Sequence, residues 1–232
     1  MEKEAIQNKE KNFVSCVLYL HNDGKNIREF LKTVCGTMEQ NFEKYEIVCV
    51  NDCCMDDTIE EIHRYLEESN TRHVVSLINL SFYQGVEMAM NAGRDLAVGD
   101  FLFEFDRCLL DFEPSLIMDI YHKALEGYDV VAAAPKRDVA FTSRLFYAVY
   151  NLGSRNTHKL RQERFRIISR RAVNRVNQMN AYIPSCTSRF SSLANSESIS
   201  LYPIPNTALC TVPYSFKSAI TLLTMEVGIA NE

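Results

Sequence analysis

Apolar runs of strand length alternate strictly with stretches of helical periodicity over the first 135 residues, and that alternation admits few folds. Residues 13–20, FVSCVLYL, form a near-continuous apolar run that ends at Asn22-Asp23-Gly24, the punctuation of a buried strand. Residues 26–41 then place Ile27, Phe30, Leu31, Val34 and Met38 at helical spacing. A second strand, YEIVCV at 45–50, runs into Asn51-Asp52, and Asp56-Asp57 caps a helix whose inner face carries Ile59, Ile62 and Leu66. Residues 74–80 read as a third strand and 84–98 as a third helix, with Met88, Ala89, Ala92 and Leu96 on its apolar side. Strand and helix in alternation imply right-handed crossovers, and so an α/β fold with a mostly parallel central sheet and helices on both faces.

The stretch VGDFLFEFDRCLLDFEP at 98–114 carries the next strand and the most telling charges. A turn at Gly99-Asp100 leads into the apolar run Phe101, Leu102, Phe103 and Phe105, which then meets Glu104, Asp106 and Arg107. A carboxylate where a buried strand emerges is costly unless it caps a turn or serves a ligand, and in open α/β sheets ligands bind beyond the carboxyl ends of strands. A helix at 114–126, a stop at Gly127 and a strand at 128–134 follow. Past that point the order weakens: an aromatic-rich amphipathic helix at 141–152, a short strand at 165–169, a basic helix at 170–179, then a Ser-rich tail. The expected organisation is a disordered N-terminus over 1–12, an α/β domain over 13–136, and a C-terminal appendage over 137–232 with weak structural signals.

Charge is distributed unevenly along the chain. Residues 1–135 hold 12 Lys and Arg against 25 Asp and Glu, whereas residues 136–175 hold 11 against 2. That basic block is either a solvated face or an attractor for anionic partners, a phosphate-bearing substrate or an anionic membrane surface. A nucleic-acid partner is not expected. The N-terminus lacks the basic, apolar and small-residue order of a signal peptide, and no apolar run reaches the roughly 18 residues of a membrane span, so a cytoplasmic location is expected. The eight cysteines form no C-x-x-C pair and sit largely in apolar runs, which argues against disulfide frameworks and zinc sites and for small buried hydrophobes.

Several chemistries are excluded by their missing motifs. The turn after the first strand reads HNDGKN, with one glycine where a dinucleotide cradle needs G-x-G-x-x-G, and neither a P-loop nor G-x-S-x-G occurs. The five histidines show no ligand spacing. What remains is a set of acids, Asp23, Asp52 and Asp106, each just past an apolar strand and therefore on one edge of a parallel sheet. Such an edge suits a nucleotide held through base and ribose, with a divalent cation screening its phosphates.

The series YLHNDGKNI, YEIVCVNDCCMDDT, INLSFYQGVEMAMNAGRDLAVGD, FEFDRC, EGYDVV and ERFRIISRR resembles the family 2 glycosyltransferases, especially the polyprenyl-phosphate sugar synthases. The resemblance implies a glycosyltransferase A-type, nucleotide-sugar-binding fold, a UDP- or GDP-sugar donor, inversion at the sugar carbon, and Mg²⁺ or Mn²⁺ as cofactor. It also implies a polyprenyl phosphate or cell-surface polysaccharide precursor as acceptor, with peripheral contact at the inner face of a membrane. By the same resemblance Asp23 and Asp52 contact the nucleoside, Asp52 at the base. Asp106 is then the first acid of a D-x-D metal motif, and Arg107, Arg166 and Arg170 face phosphate or acceptor.

The chain departs from the family pattern at four places. The second position of D-x-D is Cys108, the acid of the G-D-F-R-L-L-S-R segment is Arg164, so that no catalytic base is identified, and the ribose-side Arg-Asn is Phe82-Tyr83. The C-terminal R-x-x-G-x-S-K-Y-S survives only as Tyr214-Ser215-Phe216. Losing a metal-binding carboxylate weakens affinity for hard cations, and losing donors to a departing pyrophosphate removes transition-state stabilisation. Glu104, on the strand face of Asp106, and Arg107 are the candidate compensations; Cys108→Asp is expected to restore metal affinity. The alternative function is a catalytically impaired relative, a nucleotide-binding scaffold or regulatory subunit.

Overall fold

Strands that are apolar on both sides demand helices on both faces, and the residues divide accordingly. In a computed structural model that describes residues 9–69, 71, 74–135, 165–178 and 200–204, the strands are β1 Val14–Leu20, β2 Tyr45–Asn51, β3 Val75–Asn79, β4 Phe101–Phe105, β5 Val130–Pro135, β6 Phe165–Ser169 and β7 Ser200–Ile204. The helices are α1 Ile27–Asn41, α2 Thr58–Ser69, α3 Val86–Leu96, α4 Ser115–Leu125 and α5 Arg170–Gln178. One seven-stranded sheet runs β3-β2-β1-β4-β6-β5-β7. Alternate residues of β1 serve opposite cores: Cys16, Leu18 and Leu20 pack with α1 residues such as Phe30, Leu31 and Val34, while Val17 packs with Ala89 and Met90 of α3. Both sets are fully or almost fully buried.

The parallel pairs β1–β2, β2–β3 and β1–β4 confirm the right-handed alternation read from the sequence. Chain order proceeds outward from β1 through β2 to β3, then returns to place β4 on the other side of β1. A topological switch point therefore lies between the carboxyl ends of β1 and β4, where a crevice opens because the connections leave in opposite directions. Aromatic packing fixes the β4 side of that crevice: Phe105 meets Phe30 edge-on at 5.3 Å and stacks on Phe165 at 5.0 Å.

Two expectations of domain organisation are corrected. The sheet does not close at residue 136, because β6 inserts antiparallel between β4 and β5, and β7 pairs with β5 in parallel. The short apolar run FRIIS has no isolated use; its burial on both faces requires two strand neighbours, and the α/β domain supplies them. Nor are residues 9–12 loose: the Glu10 amide donates to Asn41 O at 2.7 Å, and Asn12 Nδ2 donates to the Tyr121 hydroxyl at 2.8 Å. The expected helix at 141–152, most of the basic block, and all of the tail except β7 fall outside the described residues. Among the described residues no helix is long and apolar enough to cross a membrane.

Candidate functional site

Three acids stand at the carboxyl edge, as the parallel sheet requires, but they do different things. Asp52 follows β2 and is 0% exposed. Its Oδ1 accepts the Gln84 amide at 2.7 Å, and its Oδ2 accepts the Gly85 amide at 2.8 Å and the Tyr19 hydroxyl at 3.0 Å. A buried carboxylate needs such donors, and these hold down the loop between β3 and α3. Gly85, at φ +84, takes a backbone conformation that a side chain would strain, and so delivers its amide to Asp52. Burial and the Asp52 charge raise the Tyr19 pKa well above the ordinary phenol value, so the hydroxyl stays a donor. The expected contact of Asp52 with a nucleobase is therefore corrected: the carboxylate is sequestered, and its work is to position residues 81–85.

What that loop presents is aromatic. Phe82 and Tyr83 are 66% and 60% exposed, and the Tyr83 ring lies 4.8 Å from that of His21. His21 is itself fixed through Nδ1, 2.7 Å from Asp52 O. The Phe82-Tyr83 pair thus presents an exposed aromatic surface in place of the Arg-Asn of the family pattern.

Asp23 and Asp106 flank the switch point. Asp23 closes the turn after β1: its Oδ2 accepts the His21 amide at 2.9 Å, its own amide donates to Thr58 Oγ1 at 2.8 Å, and its carbonyl accepts the amides of Asn26 and Ile27. Gly24 packs closely beside it: a Cβ there would lie 1.9 Å from Asp57 Oδ1 and would push that side chain aside. Loss of hydration raises the Asp23 pKa above the ordinary carboxylate value, and the His21 hydrogen bond offsets this only in part. Asn22 and Cys53 both sit at positive φ, 61° and 56°, and link the two turns: Met55 N donates to Asn22 Oδ1 at 2.7 Å and Cys54 N to Asn51 Oδ1 at 2.9 Å. Left-handed backbone at a non-glycine costs of order 1–3 kcal/mol and is held here by the interlocked turns.

Asp106 leaves the end of β4 with its side chain 29% exposed, Oδ1 being 3.8 Å from Arg166 Nη2. Arg166 lies opposite Glu104 in the β4–β6 register, and its Nε donates to Glu104 Oε2 at 2.7 Å. The other oxygen of Glu104 accepts Arg94 Nε from α3 at 2.6 Å. Burial works to raise the Glu104 pKa, but the two guanidinium groups prevail and hold it below the ordinary value. For Asp106 the balance is reversed: lost hydration raises the pKa, and Arg166 compensates only in part. Arg107 follows Asp106 just past the end of β4, and its charge favours the ionised forms of both Asp23 and Asp106.

Three further sequence expectations are corrected. Glu104 is fully buried between two arginines and does not compensate for the missing metal ligand. Arg166, 4% exposed, is committed to that pairing and does not face phosphate or acceptor. Arg170 donates to the carbonyls of Gly99 and Ala97 at 2.9 and 2.7 Å, at the amino end of β4. Five residues of strand separate it from Asp106, roughly 17 Å, on the wrong edge of the sheet for a diphosphate. Arg94 is the residue that the sequence reading missed. Its signal was an arginine on the same helical stripe as Met90 and Ala97, a stripe otherwise apolar.

The donors present do not make a self-sufficient hard-cation site. Cys108, in the second D-x-D position, is buried, its Sγ 3.5 Å from Tyr19 O, and burial pushes its thiol pKa well up. Among the described residues no group of three His, Cys, Asp or Glu side chains is placed to hold a metal ion. Of the D-x-D pair only Asp106 carries a carboxylate, and it already faces a guanidinium.

A mostly parallel sheet with acids past the carboxyl ends of the strands that flank its switch point places a candidate ligand site where open α/β proteins carry one. Residues 15–190 match the family described as glycosyl transferase family 2, and the chain belongs to that family. An uncharacterized glycosyltransferase of Synechocystis is 29% identical over 174 residues, covering 72% of this chain and 53% of its own length. The undecaprenyl-phosphate 4-deoxy-4-formamido-L-arabinose transferase of Edwardsiella ictaluri is 27% identical over 188 residues, 77% of this chain and 56% of its own. The chain spans about half the length of these curated relatives. Among solved structures, the fold is shared with glucosyl-3-phosphoglycerate synthase of Mycobacterium tuberculosis in complex with Mn²⁺, UDP-glucose and phosphoglyceric acid (TM-score 0.67, 11% identity, 94% of this chain and 80% of that one). It is also shared with a Pyrobaculum calidifontis mannosyltransferase in complex with GDP-mannose and Mn²⁺ (TM-score 0.63, 15% identity, 91% and 60%).

Proposed function

We propose that this protein transfers a sugar from a UDP- or GDP-sugar to a lipid-linked phosphate acceptor of the polyprenyl phosphate kind. The observation that carries the reading is the topology: Asp23 and Asp106 follow the carboxyl ends of β1 and β4 on either side of the switch point, with Arg107 next in the chain after Asp106. In this reading Asp23 accepts from the nucleoside, Arg107 meets the diphosphate, and the aromatic pair Phe82-Tyr83 supplies contact area beside the base. The acceptor assignment draws on relatives named as undecaprenyl-phosphate transferases and on the basic block at 136–175.

Arg164 in place of the family acid is compatible with such an acceptor. A phosphate monoester carries its nucleophilic charge at neutral pH, its second pKa being about 6, and needs no base to remove a proton. An acceptor phosphate oxygen forms its bond to the sugar C1 while the bond from C1 to the donor's β-phosphate oxygen breaks. The electron pair leaves with the nucleoside diphosphate, and configuration inverts. Arg107 stabilises the charge that accumulates on the leaving group.

A second reading, a nucleotide-binding relative without turnover, is favoured by one observation, the burial of Cys108 where the family has a carboxylate. Release of UDP or GDP from a panel of nucleotide sugars, with and without undecaprenyl phosphate, separates the two. Acceptor-dependent release supports the transferase; nucleotide binding with no release on any donor supports the second reading and overturns the first.

A further inference from the structure

Four charges meet at the β4 side of the crevice. Arg94 and Arg166 each donate to one oxygen of Glu104, at 2.6 and 2.7 Å, and Arg166 Nη2 also lies 3.8 Å from Asp106 Oδ1. The elements that bring them together are α3, β4 and β6, so the array forms whenever the sheet does. Two cations and two anions balance. A dication placed on Asp106 would stand against a guanidinium that the fold does not let withdraw, because Arg166 is 4% exposed and anchored by Glu104.

We propose that Arg166 is the resident counter-cation of Asp106, standing in the charge balance where a divalent ion would otherwise be needed, so that a nucleoside diphosphate enters beside Arg107 with no divalent requirement. The proposal rests on the nucleotide reading above and specifies how that site is charged. Arg166 is a positioning residue: it acts on the ligand through Asp106. Arg107 supplies the cation that meets phosphate, and Asp106, neutralised from behind, no longer repels it.

The test is calorimetric titration of UDP and GDP into the full chain, once in EDTA and once with excess Mn²⁺. The expected affinities agree within about threefold, and Asp106→Asn leaves binding in EDTA within the same range, because Arg166 already neutralises the carboxylate. Electron paramagnetic resonance with Mn²⁺ alone gives a readout independent of nucleotide. Wild type is expected to leave the Mn²⁺ signal that of the free ion; a bound-ion signal in wild type that Asp106→Asn removes overturns the proposal. Nucleotide binding that is at least about tenfold tighter with Mn²⁺, and that Asp106→Asn abolishes, overturns the proposal while the nucleotide reading survives. Absence of binding under every condition overturns the nucleotide reading and this proposal with it.

Discussion

The two flanks of the carboxyl edge use the same residue type in opposite ways. On the β2 side, Asp52 is neutralised by hydrogen-bond donors, two amides and a hydroxyl, and so converts an acid into a clamp on backbone. On the β4 side, Glu104 and Asp106 are neutralised by arginines from elements distant in sequence, and so tie three parts of the fold into one charge array. In both cases the partners come from other elements: residues 84–85 reach Asp52 from the loop before α3, and Arg166 reaches Glu104 across the sheet from β6. The position of an acid at a strand end therefore says that something must neutralise it, and only the fold says what.

The largest effect is expected on the β4 side. Glu104→Ala leaves two buried guanidinium groups facing each other, and a loss of about 3–5 kcal/mol in urea unfolding is expected. The pH dependence follows from the same group: the unfolded chain takes up the proton near the ordinary Glu pKa of about 4.3, the folded chain only below it. The stabilisation is fully present above about pH 4.3 and drains as the pH falls through the folded value. Acid unfolding curves should show this for wild type, and Glu104→Gln should flatten it.

Cys108→Asp comes next. The sequence alone makes it a restoration of D-x-D, but the side chain lies in the hydrophobic core, where a carboxylate loses its hydration. A destabilisation of about 3 kcal/mol with no gain in Mn²⁺ affinity is expected from thermal melts and metal titration.

Asp52→Ala breaks the β2 side. It orphans the Gln84 and Gly85 amides and the Tyr19 hydroxyl, at a cost of about 1–3 kcal/mol, and frees residues 81–85. Amide hydrogen exchange localised to that loop distinguishes a released clamp from general unfolding. Tyr83→Ala is the mildest change: stability within about 0.5 kcal/mol of wild type, because the side chain is 60% exposed, with weaker nucleotide binding as its effect. Since the chain has no tryptophan, tyrosine fluorescence on adding nucleotide reads the loop directly.

What the sequence revealed follows from period and punctuation. β1, β2, β4 and their helices are apolar runs and stripes bounded by Asn, Asp and Gly, and their boundaries fall within one or two residues of expectation. The strand at β6 was legible as a strand, yet its place between β4 and β5 was not, because an antiparallel insertion needs pairing partners that no local pattern names. The acids were found for the right reason, their cost at a strand end. Their roles were misread wherever a partner came from afar: Arg166 across the sheet for Glu104, residues 84–85 for Asp52, and Tyr19 beside Cys108. Arg170 was misplaced because an antiparallel strand carries its end to the opposite edge.

The most direct test of the central claim, that the switch point between β1 and β4 holds a nucleoside diphosphate, is calorimetry of UDP and GDP with wild type and Arg107→Gln, alongside thermal melts of both. One of the two nucleotides is expected to bind wild type and to lose about tenfold or more in affinity on Arg107→Gln, the worth of one charge-assisted contact, with the melting temperature unmoved. Equal affinity of the two proteins would contradict the claim.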